Sequence, residues 1–167
     1  MANKRIQLTL FVPEHCAKTI ELVRKKYNPL QYELIKSHVT ICREDEIKHI
    51  EKVILNIENL NSISINFGEI ILFDNEKGLM LPATENNDAF QTLRKKILTG
   101  IIQAPRKHHA HITLMHPRNS TCTYEIFREV KNYIFPNKII FNKISIIEQE
   151  IGKPWEIIKE FYLKSTC

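Results

Sequence analysis

The sequence predicts an α+β protein: a bilobal chain of two pseudo-symmetric lobes of antiparallel sheet, with outer helices, around a central cleft. Three observations predict it. Stretches with apolar residues at every second position alternate with stretches in which they recur at three or four. The order strand, helix, strand, helix, strand occurs twice. Each run contains one histidine-apolar-threonine-apolar segment, His38-Val39-Thr40-Ile41 in the first and His111-Ile112-Thr113-Leu114 in the second. The same interval of 24 residues separates Glu14 from His38 and Asn87 from His111. We therefore expect one domain over residues 1–167, with lobes of approximately 1–83 and 84–167.

The elements follow in order. Ile6, Leu8, Leu10 and Val12 alternate along a first strand that Pro13 ends. Ala17, Ile20, Leu22 and Val23 give helical spacing from Glu14 to about Lys26, closed by Asn28-Pro29. A connection to Lys36 leads into the first motif strand, which ends near Arg43. Glu44-Asp45-Glu46 is expected to open a helix, acidic at its start as the dipole prefers, with Ile47, Ile50, Val53, Ile54 and Ile57 buried. Ser62 to Phe73 alternates as a strand, and Gly78 to Leu81 returns. Asn86 or Asn87 caps a helix to about Thr99, with Phe90, Leu93, Ile97 and Leu98 inward and Gly100 as its stop. The second motif strand ends at Pro117. Thr123 to about Ile134 reads as helix, Asn137 to Glu148 as one strand, and Trp155 to Leu163 as a last strand beyond the Gly152-Lys153-Pro154 turn.

With 167 residues, 43% apolar and 26% charged, the chain has the composition of a globular protein that needs neither metal nor disulfide to fold. No apolar run reaches the length of a membrane span, so no membrane partner is expected. A start without a signal-peptide core and four scattered cysteines, Cys16, Cys42, Cys122 and Cys167, give the expectation of a cytoplasmic protein with free thiols. The formal charge of +5 favours an anionic partner. Of the basic runs, Arg94-Lys95-Lys96 reads as a solvated face, and Arg106-Lys107-His108-His109 equally as solvated or as facing a ligand.

On a strand, His38 and Thr40 share one face while Val39 and Ile41 take the other, and the second motif repeats this. If the two units pair about a pseudo-twofold axis, two imidazoles meet across one cleft. A neutral imidazole can take a proton while a protonated one gives a proton in the same turnover, which suits in-line substitution at phosphorus. The threonine hydroxyls can donate to non-bridging oxygens as charge grows there. No metal or other cofactor is required by this scheme.

The two His-x-Thr-x motifs, in the two halves of a small α+β chain, resemble those of the two-histidine phosphoesterase superfamily, which includes LigT-like proteins, 2′-5′ RNA ligases and cyclic nucleotide phosphodiesterases. The resemblance covers nearly the whole chain in element order; its specific part is the eight motif residues and the following Met115-His116-Pro117-Arg118-Asn119. It implies metal-independent phosphodiester hydrolysis or ligation at RNA 2′,3′-cyclic phosphates, 2′-5′ linkages or related cyclic nucleotides. The implied partner is an RNA terminus or a nucleotide-like phosphodiester. His38 and His111 become the acid and base pair, and Thr40 and Thr113 the phosphate ligands. His111 is written as base and His38 as acid, although symmetric motifs leave that assignment open.

Other readings stand beside this one. His108, His109, His111 and His116 with Cys122 could make a zinc site, but His111 and His116 fall on opposite strand faces, so no metal ligands are assigned. Arg43 and His116, each three residues past its motif threonine, together with Arg118, are candidates to contact a phosphate. Tyr32, Phe73 and Trp155 are candidates to stack on a base, against ordinary core packing. Glu44 and Asp45 read as helix capping. Cys42 and Met115, on the histidine faces of their strands, read as cleft-floor packing. The competing function is a module that binds RNA ends or a phosphorylated ligand without turnover. Substrate choice is expected to lie in residues 28–36, 99–110 and 116–122.

Overall fold

The computed structural model describes residues 3–84 and 87–166; Asn86 and Cys167, named above as a cap and a thiol, lie outside them. The first half comprises β1 (Lys4–Phe11), α1 (Glu14–Tyr27), α2 (Pro29–Leu34), β2 (His38–Cys42), α3 (Ile50–Ile57), β3 (Ile63–Asn66) and β4 (Ile71–Leu72). The rest comprises β5 (Leu79–Pro82), α4 (Asp88–Ile97), β6 (His111–Met115), α5 (Tyr124–Val130), β7 (Lys138–Phe141), β8 (Lys143–Glu150) and β9 (Glu156–Tyr162). The fold is α+β, with one seven-stranded sheet in the order β4-β5-β6-β2-β1-β8-β9 and a separate β3-β7 ribbon, all pairs antiparallel.

Outward from the β2–β6 junction the order is β2-β1-β8 one way and β6-β5-β4 the other. The match extends to single residues. Phe11 pairs with His38 and Leu10 with Val39, as Pro82 pairs with His111 and Leu81 with Ile112. Just outside, the Val12 N–H donates to the Ser37 carbonyl at 3.0 Å and the Ala83 N–H to the Ala110 carbonyl at 2.8 Å. Both pairings are interrupted at the same place: Leu8 faces Cys42 while Thr9 faces Thr40, and Leu79 faces Met115 while Met80 faces Thr113. Ile41 and Leu114 are thus the extra residues of two β-bulges. A bulge breaks the alternation of side chains, so Ile41 and Cys42, like Leu114 and Met115, all enter the core. Cys42 and Met115 are therefore core residues and do not line the cleft floor.

α1 starts behind Pro13 with Glu14 in its first turn and ends with Arg24, Lys25 and Lys26 in its last, a charge order that complements the helix dipole. Ile20 and Val23 are its buried face, whereas Leu22 points to solvent. The expected plain connection over 28–36 contains a short helix: Pro29 closes α1 but also sits at the first position of α2, where a missing N–H costs nothing. Glu44-Asp45-Glu46 does not open a helix. The three acids form a turn and α3 begins at Ile50, because the Glu46 carboxylate is taken by the Arg43 N–H at 3.0 Å and by Arg94.

The expected strand from 137 to 148 is two strands on different partners, and that from 62 to 73 is likewise divided. The buried positions shift phase across Asn142 and Lys143, from Ile139 and Phe141 to Ile144 and Ile146, and the change of sheet falls at that shift. Asn87 holds the N-cap position of α4 without a side-chain cap bond, while Thr123 accepts from the Ile126 N–H at 3.2 Å to cap α5. Gly100 ends the α4 region with φ +74°, a conformation glycine takes without strain. The main core lies where Leu8, Leu10, Val39, Ile41, Ile112 and Leu114 meet Ile20, Val23, Phe90, Leu93 and Ile97.

Candidate active site

The cleft is built from the junction of β2 and β6, where Val39 stands opposite Ile112 and both are fully buried. One step along the antiparallel ladder on either side, His38 comes opposite Thr113 and Thr40 opposite His111. Directly opposed side chains share a face, and diagonal neighbours in such a pair lie roughly 7–8 Å apart, which sets the separation of His38 and His111. All four side chains are half-buried and line one cleft of about 680 Å³.

Both imidazoles are held in the same way. His38 Nδ1 lies 2.8 Å from the Lys36 carbonyl and His111 Nδ1 lies 2.9 Å from the His109 carbonyl. A carbonyl only accepts, so Nδ1–H donates, and each neutral ring keeps its Nε2 lone pair free. An aromatic edge supports each ring: Phe11 against His38 at 6.1 Å and Phe73 against His111 at 5.5 Å between centroids. Burial pushes His38 down to about 4, with the Arg24 charge adding to the effect. His111 is also lowered, by burial first and then by the Arg43 charge. Burial thus favours the neutral form of both rings.

Thr40 has a side-chain partner that Thr113 lacks among the described residues. Gln7 Nε2 donates to Thr40 Oγ1 at 3.0 Å and to Thr9 Oγ1 at 2.8 Å. An oxygen already accepting is free to turn its own hydrogen into the cleft. At the far end of the second motif strand, beside Met115, lies the buried Gly78. A Cβ there would lie 2.5 Å from Phe73, 2.7 Å from the Pro117 ring and 2.9 Å from the Met115 carbonyl. Gly78→Ala is expected to destabilise the fold by about 1–3 kcal/mol through overpacking, measured by urea denaturation. Unchanged stability would show that the Phe73 and Pro117 contacts yield freely.

Arg43, His116, Arg118 and Trp155 line the same cleft, as does Phe73. Tyr32 does not. Gln31 and Leu34 of α2, with Ile35 just after it, reach the cleft, and Tyr32, one residue round the helix from Gln31, enters a neighbouring pocket with Lys25 over its ring at 5.8 Å. Glu44 lines the cleft rim, and Asp45 pairs with Arg106 at 3.2 Å, so neither caps a helix. Among the described residues, no group of three or more His, Cys, Asp or Glu side chains is arranged to hold a metal ion.

Arg5, Gln7, Arg24, Gln31, His108, Asn119 and Gln149, none of them assigned a site role from the sequence, also line the cleft. Of these, His108 carried a local signal in its basic run, Asn119 belonged to the segment following the second motif, and Gln31 lay in a stretch expected to govern substrate choice; Arg5, Gln7, Arg24 and Gln149 carried none. The His108 ring centroid lies 6.2 Å from that of His111, and its buried Nε2 has no hydrogen-bond partner among the described residues. Two networks hold the loops beyond the motif strands. Arg94, 1% exposed, reaches Glu46 at 2.7 Å, the Arg106 carbonyl at 3.0 Å and the Ile41 carbonyl, tying the loop after β2 to α4. Asn28, also 1% exposed, accepts from the His116 N–H at 2.7 Å and donates to Asn119 at 2.9 Å, tying the loop after β6 to the α1–α2 corner.

Burial, with smaller contributions from nearby cations, drives His38, His108 and His116 each to about 4. Folding therefore resists protonation that the unfolded chain accepts near the ordinary histidine value of about 6.5. The stabilisation is full above that value and is lost as pH falls through the folded values. The melting temperature is expected to fall as pH drops from about 6.5 to about 4. A melt that held steady over that range would remove the buried-neutral picture.

No protein-family model matches the chain, and no curated protein matches it in sequence. Solved structures do match it in fold. That of E. coli LigT in apo form is 12% identical with a TM-score of 0.67, over 98% of this chain and 99% of that one. A structure described as a phosphoesterase is 13% identical with a TM-score of 0.67, over 97% and 99% of the two chains. E. coli LigT complexed with 3′-AMP aligns at 12% identity and a TM-score of 0.67, over 96% and 98%. The chain has the LigT fold over nearly its full length.

Proposed function

We propose that this protein is a two-histidine phosphoesterase, hydrolysing RNA 2′,3′-cyclic phosphates, 2′-5′ linkages or related cyclic nucleotides with no obligatory metal. The observation that carries the reading is the diagonal of His38 and His111 on adjacent strands, each with Nδ1 fixed and Nε2 free, and each opposite a motif threonine. A phosphate seated between them meets one imidazole able to take the proton of the attacking water. The other imidazole, once protonated, gives a proton to the departing oxygen. Thr40 and Thr113 donate to the non-bridging oxygens. That the LigT fold has been crystallised with 3′-AMP supports a nucleotide in this cleft.

The test is incubation with nucleoside 2′,3′-cyclic phosphates in the presence of a chelator, following the linear monophosphate. Metal-independent product is expected. Binding without product would favour a non-catalytic module, and loss of product on chelation would favour metal chemistry.

The depressed histidines give a pH signature. Turnover needs one ring protonated, which burial opposes in the free protein, whereas a bound anion favours imidazolium and raises the value. The optimum of kcat/KM is therefore expected below the ordinary histidine range, and that of kcat at higher pH. Coincident optima would contradict the proposed electrostatics.

A further inference from the structure

Resting on the phosphoesterase reading of the cleft, we propose that Arg5, Arg118 and His116 form a second anion subsite that selects substrates carrying an additional phosphate, separated from the reacting one by a nucleoside. Arg5 and Arg118 both line the cleft, and among the described residues neither is ion-paired with a carboxylate. By contrast, Arg24 and Arg94 in the same region are each paired, with Glu21 and Glu46. The Arg5 guanidinium is positioned without a counter-charge: its Nε donates to Gln149 Oε1 at 2.7 Å and it lies over the Trp155 ring at 4.9 Å. Gln149 is itself held, donating to the Lys153 carbonyl at 2.6 Å. This is a preorganised cation with unused donors facing a cavity.

The charges converge from two elements. Arg118 acts on Arg5, lowering it beyond what burial does, and both act on His116. The Arg118 N–H donates to His116 Nδ1 at 3.1 Å, which leaves Nε2 of that neutral ring as a donor. Among the described residues, Glu44, exposed at the rim, is the one carboxylate lining the cleft that acts on Arg5, and its charge opposes the other two only in part. Like charges brought together on a cleft wall without partners cost stability, and an anion that bridges them relieves that cost.

Position supports a nucleoside's separation. On β1, Gln7 touches Thr40, so it marks the cradle of the reacting phosphate, and Arg5 is two residues along on the same strand face. That displaces it roughly 7 Å from Gln7. Trp155 borders the space beside it. Arginine offers a planar fork suited to phosphate oxygens.

The experiment compares adenosine 2′,3′-cyclic phosphate with the same nucleotide bearing a 5′-phosphate, in turnover and by calorimetric titration. The 5′-phosphate is expected to lower KM and Kd by about tenfold or more, and Arg5→Gln with Arg118→Gln is expected to bring the ratio close to one. Arg118→Gln alone, at an exposed position, preserves the test if the double variant does not fold. Equal affinity for the two nucleotides in the unaltered protein, or a preference that survives the substitutions, overturns the subsite. Preferential binding without turnover of either would support the subsite while refuting the catalytic reading.

Discussion

His38→Ala and His111→Ala are each expected to lower kcat on a 2′,3′-cyclic nucleotide by about 10²–10⁴-fold, and the double variant to lose little more. Residues that act as one unit are not additive: once one proton transfer is lost, the second partner has little left to assist. Neither ring is a core filler. Each is half-buried with its Nε2 face on the cleft, while the apolar neighbours Val39 and Ile112 are fully buried. The melting temperature of each variant should therefore stay close to that of the unaltered protein, measured by circular dichroism alongside the rates. Activity retained in both single variants would refute general acid–base catalysis by this pair.

The largest effect on folding is expected at the Arg94–Glu46 pair. Its members are 1% and 5% exposed, so neither charge can turn to water when its partner is removed. Burial alone would raise the Glu46 carboxyl, but hydrogen bonds from Arg94 and the Arg43 N–H, with the Arg94 and Arg106 charges, lower it instead. Glu46→Ala leaves a buried guanidinium uncompensated, at a cost of about 3–5 kcal/mol. For a chain of this size that is a fall in Tm of roughly 6–20 °C. The replacement of both by apolar residues, Glu46→Leu with Arg94→Met, should be less destabilising than Glu46→Ala, since no lone charge remains. Activity should fall with either change, because Arg94 also holds the Arg106 carbonyl at the root of the loop that carries His108 and His109. A Glu46→Ala variant as stable as the unaltered protein would show that water or Asp45 replaces the lost carboxylate.

The motif strands were legible because their information is local. An imidazole and a hydroxyl two residues apart share a strand face wherever the strand lies, and His38–Thr40 and His111–Thr113 carried that pattern without reference to the rest of the chain. Arg24 and Arg94 show the opposite case. Helical spacing puts the arginine of each run on the apolar face, Arg24 four residues past Ile20 and Arg94 four past Phe90, but spacing alone does not show where a charge buried there finds its partners. The partners that only the fold supplies are the Ile35 carbonyl for Arg24 and the Ile41 carbonyl and Glu46 carboxylate for Arg94, whereas Glu21, three residues before Arg24 on the same helix, is a local partner. Glu44-Asp45-Glu46 misled for the same reason: an acidic triplet before an apolar periodic run matches a helix start, yet Glu46 had a partner 48 residues away. Pro29 carries two local meanings, the end of one helix and the start of another, and only packing decides that both apply.

By itself the sequence determined the alternation of strands and helices, the recurrence of the His-x-Thr-x motif, and which four side chains share strand faces. All of these follow from backbone geometry repeated over two to four residues. Tertiary structure decided that β2 and β6 are neighbours with Val39 opposite Ile112, that the bulges turn Cys42 and Met115 inward, and that Arg5, Arg118 and Trp155 surround the same cleft. Strand partners and register come from contacts between residues tens of positions apart, and a pattern with a period of two residues is compatible with many such pairings until the whole core is packed.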